Sequence, residues 1–226
     1  MSTAVATETR YTPEDLLDLP DSKSYELVRG QLVERNMGIE SSWIGTQLIL
    51  LLGQFCGERR LGWVLPADSG YQCFPHDPRM VRKPDVSFVR KGRFPGDVLP
   101  KGWARIAPDI AIEVISPNDR AQELDEKLDD YLKADVPLVW VIYPESRSVM
   151  VYRRDGSISR LLEENELSGE DVVPGFRCKL SEIFPPQRRP EEVQPAGPPH
   201  QNSQGFEPFS MIIPSADISC TIVVIS

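Results

Sequence analysis

Hydrophobic and polar positions alternate with two different periods along this chain, and the changes of period mark its elements. Two segments carry apolar residues at helical spacing. From Ile39 to Phe55, Ile44, Leu48, Leu51, Leu52 and Phe55 make a stripe suited to packing on a sheet. From about Ala121 to Ala134, Leu124, Leu128, Tyr131 and Leu132 form the inward stripe of a strongly polar amphipathic helix. Other runs read as strands. Tyr25 to Arg35 alternates around Arg29-Gly30 and predicts a hairpin. LGWVLP and GYQCF are strand-like pieces. Asp85–Val89 follows Pro84, and Ile110–Ile115 follows Pro108; both are short β-branched runs suited to a sheet centre. Leu138–Tyr143 is the most hydrophobic run, and with Ile110–Ile115 it forms a strand-helix-strand unit. Ser148–Tyr152 and Ile158–Leu162 predict a meander around Asp155-Gly156.

The ends are also marked. Thr12-Pro13-Glu14-Asp15 is a helix start: a capping hydroxyl, a proline at the first position, and acids at the positive end. The folded part closes with VVPGF and a short helical piece near Ser181 to Phe184. There are no internal repeats. The order of elements predicts one α/β (α+β) domain over residues 1–184, a mixed central sheet flanked by helices. From Pro185 the chain is rich in Pro, Gln and Gly without periodicity, so residues 185–226 are expected to be a disordered tail. Its last segment, ISCTIVVIS, is β-prone and uncharged, suited to joining a sheet edge or another chain.

Composition narrows the chemistry. With 226 residues the chain accommodates one sizeable core. No apolar stretch is long enough to span a membrane, and the first residues lack a secretory layout, so a cytoplasmic protein is expected. Four scattered cysteines (Cys56, Cys73, Cys178, Cys220) form no CxxC pair and are expected to be free. Two histidines cannot furnish a Cys/His zinc site, so a catalytic metal would sit on carboxylates, which selects Mg2+ or Mn2+. A net charge of -9 argues against indiscriminate coating of nucleic acid. The span Arg79 to Arg105 nevertheless holds eight basic residues against two acidic ones. It reads either as a solvated edge or as a phosphate-tracking rim.

Buried strands seldom carry acids, because an unpaired carboxylate is costly to desolvate. Here Asp85 opens one apolar strand and Glu113 lies inside another. If the strands pair, the two carboxylates converge on a cation; the alternative is a pair of strand-end acids bonded to backbone or arginine. Lys127, about two turns into the following helix, is either a solvated helix lysine or an ammonium that orients water and stabilises charge at phosphorus. Phosphate-loop, dinucleotide and GxSxG motifs are absent, and no histidine is placed to activate Ser116.

The pieces YELVRGQLV (Tyr25–Val33), Pro84-Asp85-Val86-Ser87, Glu113-Val114-Ile115-Ser116-Pro117-Asn118, Lys127-Leu128 with Tyr131, and GEDVVPGF (Gly169–Phe176) resemble the Uma-two family of the PD-(D/E)xK, restriction-endonuclease-like superfamily. The resemblance runs from about Tyr11 to Phe184. It implies the restriction-endonuclease-like sheet, and a Mg2+ ion held by Asp85, Glu113 and the Val114 carbonyl. It also implies Glu26 as a further catalytic acid and Mg2+-dependent hydrolysis of DNA phosphodiesters by a hydrolase that is a homodimer in many proteins of this fold. Two departures stand out. The superfamily's lysine normally lies two residues after the second acid, where this chain has Ile115, and the resemblance points to Lys127 as its migrated counterpart. Many relatives carry a histidine at the start of the helix after the hairpin, where this chain has Ser41-Ser42-Trp43. Glu26 has a plainer alternative, a hairpin acid paired with Arg29 or Lys23. Two rival functions remain: a non-catalytic interaction protein on the same fold, and a phosphoester hydrolase acting on RNA or nucleotides.

Overall fold

A computed structural model describes residues 10–35 and 38–187. The expected tail, residues 185–226 including ISCTIVVIS and Cys220, falls almost wholly outside the described residues.

The first helix, α1 (Pro13–Asp18), starts where a capping box predicts it: Asp15 N–H donates to Thr12 Oγ1 (3.1 Å) and Thr12 N–H donates to Asp15 Oδ2 (2.8 Å). Strands β1 (Tyr25–Val28) and β2 (Gln31–Glu34) form the expected hairpin. Arg29 and Gly30 both have positive φ (51° and 80°), the geometry that matches a two-residue turn to the strand twist. Helix α2 (Ile39–Arg59) extends a turn beyond the expected end at Phe55, because Cys56 continues the buried stripe of Ile44, Leu48 and Leu52. Arg60, in the left-handed conformation, terminates it.

The centre is a six-stranded mixed sheet in the order β3-β4-β5-β6-β7-β8. Its strands are β3 (Gly62–Pro66), β4 (Val86–Arg90), β5 (Ile110–Val114), β6 (Leu138–Tyr143), β7 (Ser148–Arg153) and β8 (Ile158–Leu162). Helix α3 (Ala121–Lys133) joins β5 to β6, which run parallel; all other neighbours are antiparallel. A small hairpin of β9 (Glu166–Ser168) and β10 (Arg177–Lys179) closes the domain. GYQCF is not a strand. Tyr71 makes isolated bridges to Arg82 and Ala104, and its hydroxyl meets Ser87 Oγ at 2.7 Å, so loops satisfy the segment without a ladder. Leu132, expected inward on α3, is only half-buried.

The pleat sorts the sheet's residues onto two faces. Val86, Phe88, Ile110, Ile112, Val114, Trp140 and Ile142 point to α2 and join one apolar cluster. Ala111, Val139 and Val141 point the other way, with Leu128 and Tyr131 of α3. Glu113 shares that second parity on β5, as do Ser87 and Asp85 at the start of β4.

Candidate functional site

Asp85 sits immediately before β4, and Glu113 is the fourth residue of β5. Val86 faces Ile112 in the antiparallel register, so one further step sets Asp85 opposite Glu113. A cross-strand bond locks the step: Val114 N–H donates to Asp85 Oδ2 (2.8 Å). The other oxygen, Oδ1, accepts from Arg35 Nη2 (2.9 Å), whose guanidinium also reaches the Ala67 carbonyl (2.8 Å).

Lys127 projects from α3 onto the same spot. Its Nζ lies 2.9 Å from Glu113 Oε2 and 3.2 Å from Glu26 Oε1, so it joins the acid of the hairpin to the acid of the central sheet. Tyr131, one turn on, donates its hydroxyl to Glu113 Oε1 (2.6 Å). Glu26 is not paired with Arg29 or Lys23, which reach Glu126 and Asp68 instead. It accepts from Lys83 N–H (2.7 Å) and from Arg82 Nη1 (3.0 Å). Arg82 then donates to Asp130 Oδ2 from Nε (2.9 Å) and Nη2 (2.5 Å), and Asp130 Oδ1 meets His76 Nε2 at 2.8 Å. Glu113, Lys127 and Glu26 are therefore joined in one network, and Asp85 lines the same cavity beside it, held by Arg35 and the Val114 N–H.

Arg82, Asp130, His76 and the Tyr131 hydroxyl belong to that network, and Arg35 holds Asp85, without being expected from sequence. Asp130 carries a signal nonetheless: three residues after Lys127, it shares that face of the helix and should not be buried there without a partner.

Burial sets the electrostatics. It pushes Glu113 up to about 7, with Asp85 and Glu26 adding to the rise and Lys127 opposing it. Burial also raises Asp85, against Lys127, Arg35 and the Val114 N–H. Burial opposes ionisation of Glu26 too, but Lys127 and Arg82 outweigh it and hold this carboxyl below its usual value. Lys127 is raised: Glu113, Glu26 and Asp85 more than offset the cost of burying its charge. Lys127 is thus a fixed cation, suited to balancing charge rather than accepting a proton.

The donor set fits a hard divalent cation. Asp85 and Glu113 offer oxygen ligands, and the site holds four carboxylates against the three permanent cations Arg35, Arg82 and Lys127. A cavity of about 160 Å³ opens over them, lined also by Val114, Ile115 and Arg120. Among the described residues no three His, Cys, Asp or Glu side chains are grouped to hold an ion by themselves. The Val114 carbonyl and water or substrate oxygens would have to complete the shell. Where relatives are expected to carry a histidine, Ser41 caps α2, accepting from Gly38 N–H (3.1 Å), and its hydroxyl meets Ser116 Oγ at 3.1 Å.

The basic span does not form one rim. Arg82 and Lys83 are buried, Lys83 with its ammonium on the Ser22 carbonyl and over the Trp103 ring (5.1 Å). Arg93 pairs with Asp109 (2.9 Å), and Arg90 reaches the Asp171 and Val172 carbonyls. Arg79, Lys91, Lys101 and Arg105 are exposed, with Arg79 and Lys101 lining different cavities. Cys56, Cys73 and Cys178 are free thiols. No helix among the described residues is long and apolar enough to cross a membrane.

Comparison with solved structures finds a crystal structure described as a "putative nuclease belonging to DUF820" from Anabaena variabilis ATCC 29413. The likeness has a TM-score of 0.65 at 20% sequence identity and covers 77% of this chain and 97% of that one. At that identity it establishes the fold. No curated protein sequence matches the chain. The Uma2 family profile, described as "Putative restriction endonuclease", matches residues 13–181, which include Glu26, Asp85, Glu113 and Lys127. The chain belongs to the Uma2 family.

Proposed function

We propose that this protein is a nuclease that hydrolyses DNA phosphodiester bonds with Mg2+, or Mn2+ in its place. The observation that carries the reading is the meeting of Asp85, Glu113 and Lys127 at one cavity, with Lys127 Nζ held 2.9 Å from Glu113 by a second acid, Glu26. The description of the family as a restriction endonuclease favours DNA over RNA.

In this reading Asp85, Glu113 and the Val114 carbonyl hold the ion. When bound, it supplies Lewis-acid polarisation of the phosphate and acidifies water. Water releases a proton to solvent as its oxygen bonds to phosphorus, the bond to one sugar oxygen breaks, and the departing alkoxide takes up a proton from solvent, leaving a phosphomonoester and a hydroxyl. Lys127 places a permanent positive charge where negative charge accumulates on the phosphate oxygens. Glu26, anchored by Lys83 N–H and Arg82, fixes the lysine's position. Arg35 and Tyr131 orient the two ligating carboxylates, the supporting role that partners of ligands commonly play.

One observation favours a second reading, a non-catalytic interaction protein: each oxygen of Asp85 and Glu113 already accepts a bond from within the protein. Calorimetric titration with Mg2+ and Mn2+ separates the two. One site is expected in the wild type and none in Asp85→Ala. Cleavage should be measured on duplex DNA, single-stranded DNA, RNA and nucleotides. DNA cleavage by the wild type should fall by roughly a hundredfold or more in Asp85→Ala. Lys127→Ala should retain metal binding and lose most cleavage. Activity that survives Asp85→Ala unchanged overturns the site, and a wild type that binds neither ion supports the second reading.

A further inference from the structure

The acid site has a charge problem as a binding site for a polyanion. Its cavity is lined by seven carboxylates and four basic side chains, and the buried cations are engaged with acids: Arg35 with Asp85, Lys127 with Glu113 and Glu26, and Arg82 with Glu26 and Asp130. Even with a divalent ion in place, little is left to grip the flanking phosphates of a strand.

The neighbouring cavity has the opposite balance. It encloses about 510 Å³ and is lined by Arg10, Arg29, Arg79, Arg82 and Lys133 with His76, against three carboxylates. Two of those carboxylates are committed. Asp130 is held by Arg82 and His76, and Asp77 accepts the backbone N–H of Arg79 (3.1 Å). Glu126 lies 3.8 Å from Arg29, a loose pairing between an exposed arginine and a half-buried glutamate. Lys133 meets Asp129 one turn back (3.2 Å), an exposed pair of the kind that a stronger anion displaces at little cost. Among the described residues no carboxylate pairs with Arg10 or Arg79. The two cavities are continuous in their walls, since Val28, Arg82 and Glu126 line both. A hydrogen-bonded chain runs from Glu26, which lines the first cavity, through Arg82 and Asp130 to His76, which lines the second.

We infer that this second groove is the anchoring subsite for the sugar-phosphate backbone of a nucleic-acid strand, with Arg79, Lys133 and Arg10 contacting the phosphates next to the bond that lies over Asp85 and Glu113. The inference rests on the nuclease reading for the direction in which the strand runs. Its test is a binding measurement and is independent of turnover. Arg79 and Lys133 are exposed, so replacing them leaves the core intact.

The probe is a fluorescein-labelled 12-nucleotide single strand, titrated with the full chain by anisotropy in EDTA at several salt concentrations. The double variant Arg79→Glu, Lys133→Glu is compared with Lys91→Glu, Arg105→Glu, which makes the same charge change at exposed positions outside the groove. The groove pair should weaken binding at least roughly tenfold and reduce the slope of log K against log salt by about 0.7 for each phosphate that is no longer neutralised. The control pair should stay within about threefold, the size of a general net-charge effect. Equal weakening in both pairs, no weakening in the groove pair, or no wild-type binding at low salt overturns the subsite. So does an oligoglutamate of equal charge that competes as well as the strand. If the metal titration fails while the groove pair still controls strand binding, the nuclease reading falls and the subsite stands. If cleavage depends on Asp85 while strand binding ignores the groove pair, the subsite falls alone.

Discussion

On the α2 side of the sheet, Val86, Phe88, Ile112, Val114 and Trp140 meet Ile44, Leu48 and Leu52 in one apolar cluster. On the other side the same strands carry Asp85, Ser87 and Glu113, of which Glu113 meets Lys127 and Tyr131, and Arg82 and Asp130 are buried as well. The first face is buried, whereas the second surrounds a cavity at which Asp85 and Lys127 are part-exposed. The first is held by area removed from solvent and by close packing, which any apolar side chains of the right volume supply. The second is held by reciprocity: each buried charge is tolerable only while its partner remains, so removing one member costs more than the pair contributes. A face built in that way is a poor means of stabilising a fold. It makes sense as the housing of a site.

The most severe way to break the comparison is Arg82→Met. The change preserves much of the side chain's volume but strips the guanidinium from both Glu26 and Asp130, leaving two buried acids without their arginine. The expected loss is about 3–5 kcal/mol in chemical unfolding, the range for breaking a buried ion pair from one side. It should depend on pH. Glu26 is held below its ordinary 4.5, so its contribution is fully present above that value and is lost as pH falls through the lower folded value. The Arg82→Met deficit should therefore shrink in acid. A deficit under about 1 kcal/mol at neutral pH would mean that this face is hydrated and the reciprocity argument fails.

The matching change on the other face is Leu48→Ala, with an expected cost of about 3 kcal/mol from lost transfer energy and the cavity left behind. The contrast lies in the pH profile and in the site. The Leu48→Ala deficit should be flat between pH 4 and pH 7, because the thiols of its cluster, Cys56 and Cys178, titrate far above that range, and metal affinity should match the wild type. A pH-dependent deficit there would show that the two faces are not independent.

These two changes also separate what is legible in the sequence from what is not. The apolar face is readable because burial on both sides of a strand leaves a local trace, a β-branched run such as Ile110–Val114 or Leu138–Tyr143. Asp85 and Glu113 stand out against that trace as acids in apolar runs. Arg82 does not, because its partners lie 56 and 48 residues away and nothing in local periodicity encodes an ion pair across such distances. Local composition places it in a basic rim for the same reason. Helical spacing makes Tyr131 an apolar position on α3, and the ring does pack there, but its hydroxyl belongs to Glu113. GYQCF misleads in the opposite sense: its alternation is real, yet Tyr71 faces the core from a loop.

A smaller effect measures the reciprocity directly. In EDTA, Lys127→Met and Glu113→Gln should each destabilise the protein, the first by stranding Glu113 and Glu26, the second by removing an acceptor from Lys127 and Tyr131. The double variant should lose less than the sum, with a coupling energy of about 1–2 kcal/mol in a double-mutant cycle. Additive losses would show that Lys127 is oriented by Glu26 alone, so that the meeting of all three groups at the cavity is not the unit that holds it.

The least perturbing comparison uses native thiols as reporters of how dry each face is. Cys178 belongs to the α2-side cluster and Cys73 packs against the α3-side cluster, and burial pushes both thiols up to about 12. Thiolate scarcity at pH 8, partly offset by the greater nucleophilicity of a more basic thiolate, predicts alkylation roughly fiftyfold slower than for an unfolded cysteine at both positions. Site-resolved labelling followed by mass spectrometry should give similar rates for Cys73 and Cys178, with stability unchanged. Much faster reaction at Cys73 alone would place water beneath α3. The charges there would then be screened by solvent, and the fixed positive charge assigned to Lys127 would lose its electrostatic advantage at the phosphate.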